Sequence, residues 1–276
     1  MLFLKYLYRD IKYGIIKRLY TLIPIIIVVI FMFIKWDMYL DYLSKQGCII
    51  KERNLLDSVF FLFEGMAVYR FDPRSFFNPP MLWLVFNIII LYFTAYYPQR
   101  DFGCYGKTVF VAGKSRKLWW ISKMIWCAVS VVICYLAAYL GLVIGTIIKG
   151  YKMSFATNTD FQVLQYGNGI RYLSSSDVVI VVIILSVVVS IVLCELQMIL
   201  SFVLTPVISF AVMISFFVVS AFYTVWWLLP NFTMWRRSAY YDYKGLLPGD
   251  GFLLSGYILL AVFIVGVMHF SQRDII

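Results

Sequence analysis

An all-α integral membrane fold is what this sequence predicts, and three observations predict it. Sixty-three per cent of the residues are hydrophobic and the mean hydropathy is +0.86, outside the range of soluble globular chains. Several apolar runs reach the ~20 residues that carry a helix across a hydrocarbon core of ~30 Å. The charged residues, 14% of the chain, gather between those runs instead of spreading along them. The expected architecture is a single transmembrane domain, residues 1–276, of six transmembrane helices. An N-terminal interfacial amphipathic helix and a short cytoplasmic helix between the second and third spans complete it.

Residues 1–19 read as the interfacial helix: Leu4, Leu7, Ile11 and Ile15 fall at helical spacing while Lys5, Arg9 and Lys12 follow another face. Span one is expected from about Leu19 to Ile34, with Lys35 and Trp36 snorkelling into headgroups. It lacks an A-x-A-like end, so it reads as a retained anchor and not a cleaved signal. Residues 37–80 form a polar external loop whose apolar stretch Leu55 to Val68, carrying Asp57 and Glu64, is too short to span and reads as a surface or re-entrant helix. Pro79-Pro80 punctuates the entry to span two, Met81 to Tyr97.

Span three, Trp119 to Ile148, exceeds what a bilayer needs and must tilt or project. After the polar loop Gly150 to Ser176, Ser174-Ser175-Ser176-Asp177 offers N-cap side chains to span four. The apolar run Val178 to Leu229 is too long for one helix. A break is expected between Glu195 and Pro206, where Glu195, Gln197, Ser201 and Thr205-Pro206 concentrate the run's polar groups, making spans four and five a hairpin. Pro230 to Gly251 is a third polar loop, and span six covers Phe252 to Phe270.

Charge sets the orientation. With both termini cytoplasmic, the inner segments hold twelve Lys and Arg against Asp10, Asp101 and Asp274; the outer segments hold twelve against ten acids over about twice the length. The denser basic side is expected to face the cytoplasm of a plasma-membrane protein. The net charge of +10 is thereby assigned to the lipid surface and not to nucleic acid. Of five cysteines only Cys48 is expected to face an oxidising exterior, and no Cys or His pairing has metal-ligand spacing.

The most informative segment is 97–123, YPQRDFGCYGKTVFVAGKSRKLWWISK. Within its cytoplasmic loop, residues 98–118, Arg100, Lys107, Lys114, Arg116 and Lys117 face only Asp101. Its composition suits a short helix lying flat against a partner. Gly141 and Gly145 form a GxxxG, available for packing within the chain or between copies. Glu195 is a carboxylate in an apolar run, expected either to serve a cavity or partner or to reach inner water near the turn.

An interfacial N-terminal helix, six spans, a basic loop after the second, a tight inner turn after the fourth, and the ending FSQRDII together resemble the ABC exporter permeases of the type-two kind. RDFGCYGKTVFVAGKSRKLWWISK looks like that family's coupling-helix region. The resemblance implies a membrane subunit that pairs with a second permease copy or a related permease. It implies docking of Gly113, Lys114, Ser115, Arg116 and Lys117 onto separate cytoplasmic ABC ATPase subunits, which hold the ATP and Mg. No cofactor is implied in this chain. In agreement, the sequence has no GxxxxGK[ST]: the position five before Gly113 is Thr108, so GKSRK is not a phosphate loop. The implied activity is ATP-driven export of an amphipathic peptide, antibiotic or lipid-like molecule by alternating access. A secondary transporter would instead need buried coupling charges and broken-helix repeats, and a membrane sensor or scaffold would use the loop 37–80 to bind a ligand. Only the exporter requires an ATPase partner.

Overall fold

The computed structural model describes residues 2–46, 53–69, 77, 79–111, 115–154, 179–242 and 244–272. Their regular secondary structure is all helical: no strand occurs among them, only isolated bridges at Asn54–Lys152 and Ser238–Leu246. Among the described residues five helices are long and apolar enough to cross a membrane, the make-up of a membrane-embedded protein. A sixth apolar helix, Pro206–Phe222, has 17 residues and is about 26 Å long, short of a ~30 Å core.

The chain opens with α1, Leu2–Asp10, followed by a π-helical turn Ile11–Ile15 and a 3-10 stretch Ile16–Leu22. Only part of the expected stripe turns inward. Ile15 is buried and Ile11 packs on the core, but Leu4 is 65% exposed, and within α1 Tyr6 and Asp10 are the buried residues. The reason lies in the partner: α1 packs on protein, where polar groups find polar partners, so a hydrophobic stripe alone does not mark its inner face.

Helix α2, Ile23–Lys45, starts at Pro24, which fits the first turn of a helix because its missing N–H has no intrahelical acceptor there. It buries Ile25, Val29, Met32, Phe33, Trp36 and Leu40 and turns Ile27, Ile30, Phe31 and Ile34 outward. It continues eleven residues beyond the expected end at Ile34. Asp37 is tolerated inside it because Lys149 (2.7 Å) and Arg53 (3.2 Å) neutralise its carboxylate. The segment 37–80, expected as an external loop, is therefore partly helical. Its α3, Leu55–Leu62, does not lie on the surface: seven of its eight residues are buried, including Asp57.

Helix α4, Met81–Ala95, leads through a bend at Tyr96 into α5, Tyr97–Asp101, a π turn Phe102–Gly106 and α6, Lys107–Val111. Helix α7, Arg116–Ile148, has 33 residues, about 50 Å of helix. It ends in a Schellman motif: Gly150 takes φ +67, its N–H donates to Ile147 O (3.0 Å) and the Tyr151 N–H to Thr146 O (3.0 Å).

The π-helical Val179–Leu185 runs into α8, Ser186–Val203. This helix is the hub, packed by α4, α7, α9 (Pro206–Phe222) and α10 (Pro248–Gln272), which is why its sequence is apolar on nearly every face. The expected break falls at Leu204–Thr205. Thr205 Oγ1 accepts from the Ile208 N–H (3.3 Å), and Pro206 opens α9. The proposed caps Ser174 to Asp177 lie outside the described residues. At the basic end of the bundle, where α1 sits, Trp119, Trp120, Phe202 and Phe270 interlock with ring centroids 5.0–6.2 Å apart.

Candidate functional site

Where α1, α5 and α7 meet at the basic end, three charges are collected out of water and a fourth, Arg9, flanks them half-buried. Lys123, 1% exposed, pairs with Asp10 (2%) and, at 2.7 Å, with Asp101 (7%). Arg9 Nε lies 3.7 Å from Asp101. The remaining carboxylate lone pairs are met by neutral donors: Ser122 Oγ at 2.5 Å and Tyr97 OH at 2.9 Å donate to Asp10, and Trp119 Nε1 donates to Asp101 at 3.3 Å. Two acids against two bases leave the group neutral, the condition under which buried charges are tolerable. Gly14 brings the chain close beside it; a Cβ there would lie 2.2 Å from Trp126 Nε1.

This cluster fixes the N-terminal helix, the end of the second apolar segment and the start of the third as one body. On its rim, Ser115 caps α7, its Oγ accepting the Leu118 N–H at 3.4 Å. Arg116 and Lys117 form the first turn of α7, with Lys117 exposed and Arg116 half-buried. Of the expected coupling residues, Ser115, Arg116 and Lys117 thus belong to the start of a long helix and not to a separate flat one. Gly113 and Lys114 lie outside the described residues. Cations in a first turn are opposed by the helix dipole, so Arg116 and Lys117 are not there to stabilise α7.

Glu195 sits inside the bundle on α8 at 2% exposure, and its Oε2 has no hydrogen-bond partner among the described residues. It does not reach the surface near the turn. Gln197, 1% exposed, likewise leaves both amide atoms unpartnered. Toward the N-terminal end of the same helix, Ser190 and the Ser186 carbonyl engage Tyr135 OH of α7 at 2.8 and 3.1 Å. Gly141 and Gly145 face α2: a Cβ at either would meet Val29 Cγ1 or the Phe33 ring at 3.0 Å. The GxxxG is a contact within the chain.

The opposite end is closed by a second polar lock. Arg237, 0% exposed, donates to the carbonyls of Ser220, Ala221 (2.8 Å) and Met66 (3.1 Å) and to Asn231 Oδ1. It therefore caps the C-terminal end of α9, where a cation also suits the dipole. Burial pulls its guanidinium down to about 10, which leaves it charged at neutral pH. Nearby, Trp235 Nε1 donates to Phe60 O at 2.8 Å and Arg236 pairs with Glu64 at 2.8 Å, beside a cavity of about 490 Å³ bordered by Lys35, Tyr69 and Trp83.

Sequence reasoning counted Asp10, Asp101 and Lys123 only as topology charges. The available signal was that Asp10 and Asp101 are isolated acids in strongly basic segments, and that Lys123 interrupts the apolar start of α7. No family model matches this chain, nor does any curated protein or solved structure.

Proposed function

We propose that the chain is the membrane-spanning permease subunit of an ATP-driven exporter of the ABC type-two kind. In this reading it crosses the plasma membrane six times, with α9 as the short fifth span and both termini in the cytoplasm. A second permease copy or a related permease completes the translocation pathway, and separate ATPase subunits hold ATP and Mg and do the hydrolysis. The substrate is an amphipathic peptide, antibiotic or lipid-like molecule.

The observation that carries this reading is the buried Lys123–Asp10–Asp101 cluster beside Ser115–Lys117. A partner pushing on the first turn of α7 meets a braced body and not a loose loop. The same helix continues to the far end, where Lys149 pairs with Asp37 of α2 at 2.7 Å. A displacement at one end is thereby delivered to the other by rigid elements, as rocking between inward-open and outward-open states requires. Reversing Lys114, Arg116 and Lys117 to glutamate should weaken ATPase docking and abolish substrate-stimulated hydrolysis, with topology checked in the same variant. Arg116→Ala is the milder probe. Full docking and full transport in both variants would remove the coupling role.

A second reading, an ion-coupled secondary transporter, is favoured by Glu195, which lies buried in the central helix with its Oε2 lacking a hydrogen-bond partner among the described residues. Glu195→Gln separates the two. Transport that stays ATP-driven in this variant supports the exporter, and transport that loses its dependence on an ion gradient supports the alternative.

A further inference from the structure

At the basic end, just outside the Lys123 cluster, a cleft of about 430 Å³ is lined by four cations, Arg9, Lys17, Arg18 and Arg100. The one carboxylate on its wall, Asp101, is already engaged by Lys123 and Arg9. Lys17, Arg18 and Arg100 form no ion pair with a carboxylate among the described residues. What they have is aromatic: Lys17 Nζ stands 4.5 Å over the Tyr13 ring and the Arg18 guanidinium 5.8 Å from Tyr97. Arg9 Nε is buried without a hydrogen-bond partner among the described residues. Like charges around one cavity repel, and an anion between them would relieve that repulsion. Arginine forks suit the several acceptor oxygens of a phosphate.

The setting says where that phosphate comes from. The segment that supplies Lys17 and Arg18 also exposes Ile16 (57%), Leu19 (50%) and Ile23 (54%), an apolar strip leading from the cleft toward the membrane-facing side of α2. We propose that the cleft binds a phosphate group, that of an anionic phospholipid whose acyl chains lie along this strip. The site is distinct from Ser115–Lys117 and stands whether or not the chain couples to an ATPase.

The test uses the purified full-length chain in detergent. Retention of phosphatidic acid and of phosphatidylcholine is counted by native mass spectrometry, and inorganic phosphate is titrated in a thermal-shift assay. The wild type should retain phosphatidic acid about 30-fold better than R18Q/R100Q, at roughly 1 kcal/mol per basic residue, with phosphatidylcholine retained equally by both. Neither arginine belongs to the buried cluster, so the fold should persist; Arg18→Gln alone serves if the double variant does not fold. In the I16S/L19S variant, lipid retention should fall while any phosphate response is kept. Stabilisation by inorganic phosphate with no preference for phosphatidic acid would overturn the lipid assignment. Equal phosphatidic acid retention in the wild type and the arginine variants would overturn the site.

Discussion

Replacing Lys123 by methionine removes one charge and little volume, and its consequence can be worked out from the geometry. At 2.7 Å from Asp101, and at an effective dielectric of ~20, each ion pair attracts by about 6 kcal/mol gross. Desolvation of each ion takes back several kcal/mol. The intact cluster therefore adds little net stability, but the truncated one is in deficit. In Lys123→Met the Asp10 and Asp101 carboxylates stay buried, with only the Arg9 Nε at 3.7 Å and three neutral donors to meet them. Breaking a buried pair in this way costs about 3–5 kcal/mol. At ~2–4 °C per kcal/mol, the melting temperature in detergent, followed by tryptophan fluorescence, should fall by about 10 °C. Adding Asp10→Asn and Asp101→Asn to Lys123→Met removes the stranded charges and should restore most of the loss. A Lys123→Met protein that melts within 2 °C of wild type (about 1 kcal/mol at most), or a triple variant no better than the single, would refute the reasoning.

Three further outcomes are expected. Arg237→Met strands the Ser220 and Ala221 carbonyls at the end of α9 and should lower stability by about 3 kcal/mol or more, read by thermal unfolding. Gly145→Leu forces a side chain into the Phe33 ring and should cost about 1–3 kcal/mol; light scattering should show an unchanged oligomeric state, because the contact is with α2 of the same chain. A lone Cys104, exposed at the basic end, should resist an impermeant thiol reagent in intact cells and react in lysed ones, and equal labelling in both would reverse the orientation.

Much of the helical framework was legible because apolar run length is a direct consequence of bilayer thickness. The hairpin break at Thr205-Pro206 was legible for a similarly local reason, since a hydroxyl cap followed by proline starts a helix whatever surrounds it. What could not be read were the places where distant side chains decide. In the sequence the polar loop begins at Asp37, whereas Lys149, Arg53 and Tyr151, remote in sequence, make it an interior residue of α2. The stretch Leu55 to Val68 is too short to span, and its sequence leaves a surface and a re-entrant helix equally open. In the fold, Trp235 and Arg237 from the segment after α9 hydrogen-bond to its Phe60 and Met66 carbonyls and hold it inside. The inner face of α1 was only partly legible because a periodic apolar stripe is a full guide only where the partner is apolar. Here the partner is the Lys123 cluster. Glu195 stood out in sequence as a polar group in a run, but its depth depends on four neighbouring helices.

The central claim is that the braced basic end is a seat for ATP-hydrolysing partners. The most direct test is native mass measurement of the complex extracted from its own membrane with the chain tagged. The account predicts two permease subunits with two ATPase subunits, hydrolysis only in that assembly, and loss of the ATPase subunits when Lys114, Arg116 and Lys117 are reversed. An isolated chain that carries out transport with no ATPase attached would contradict it.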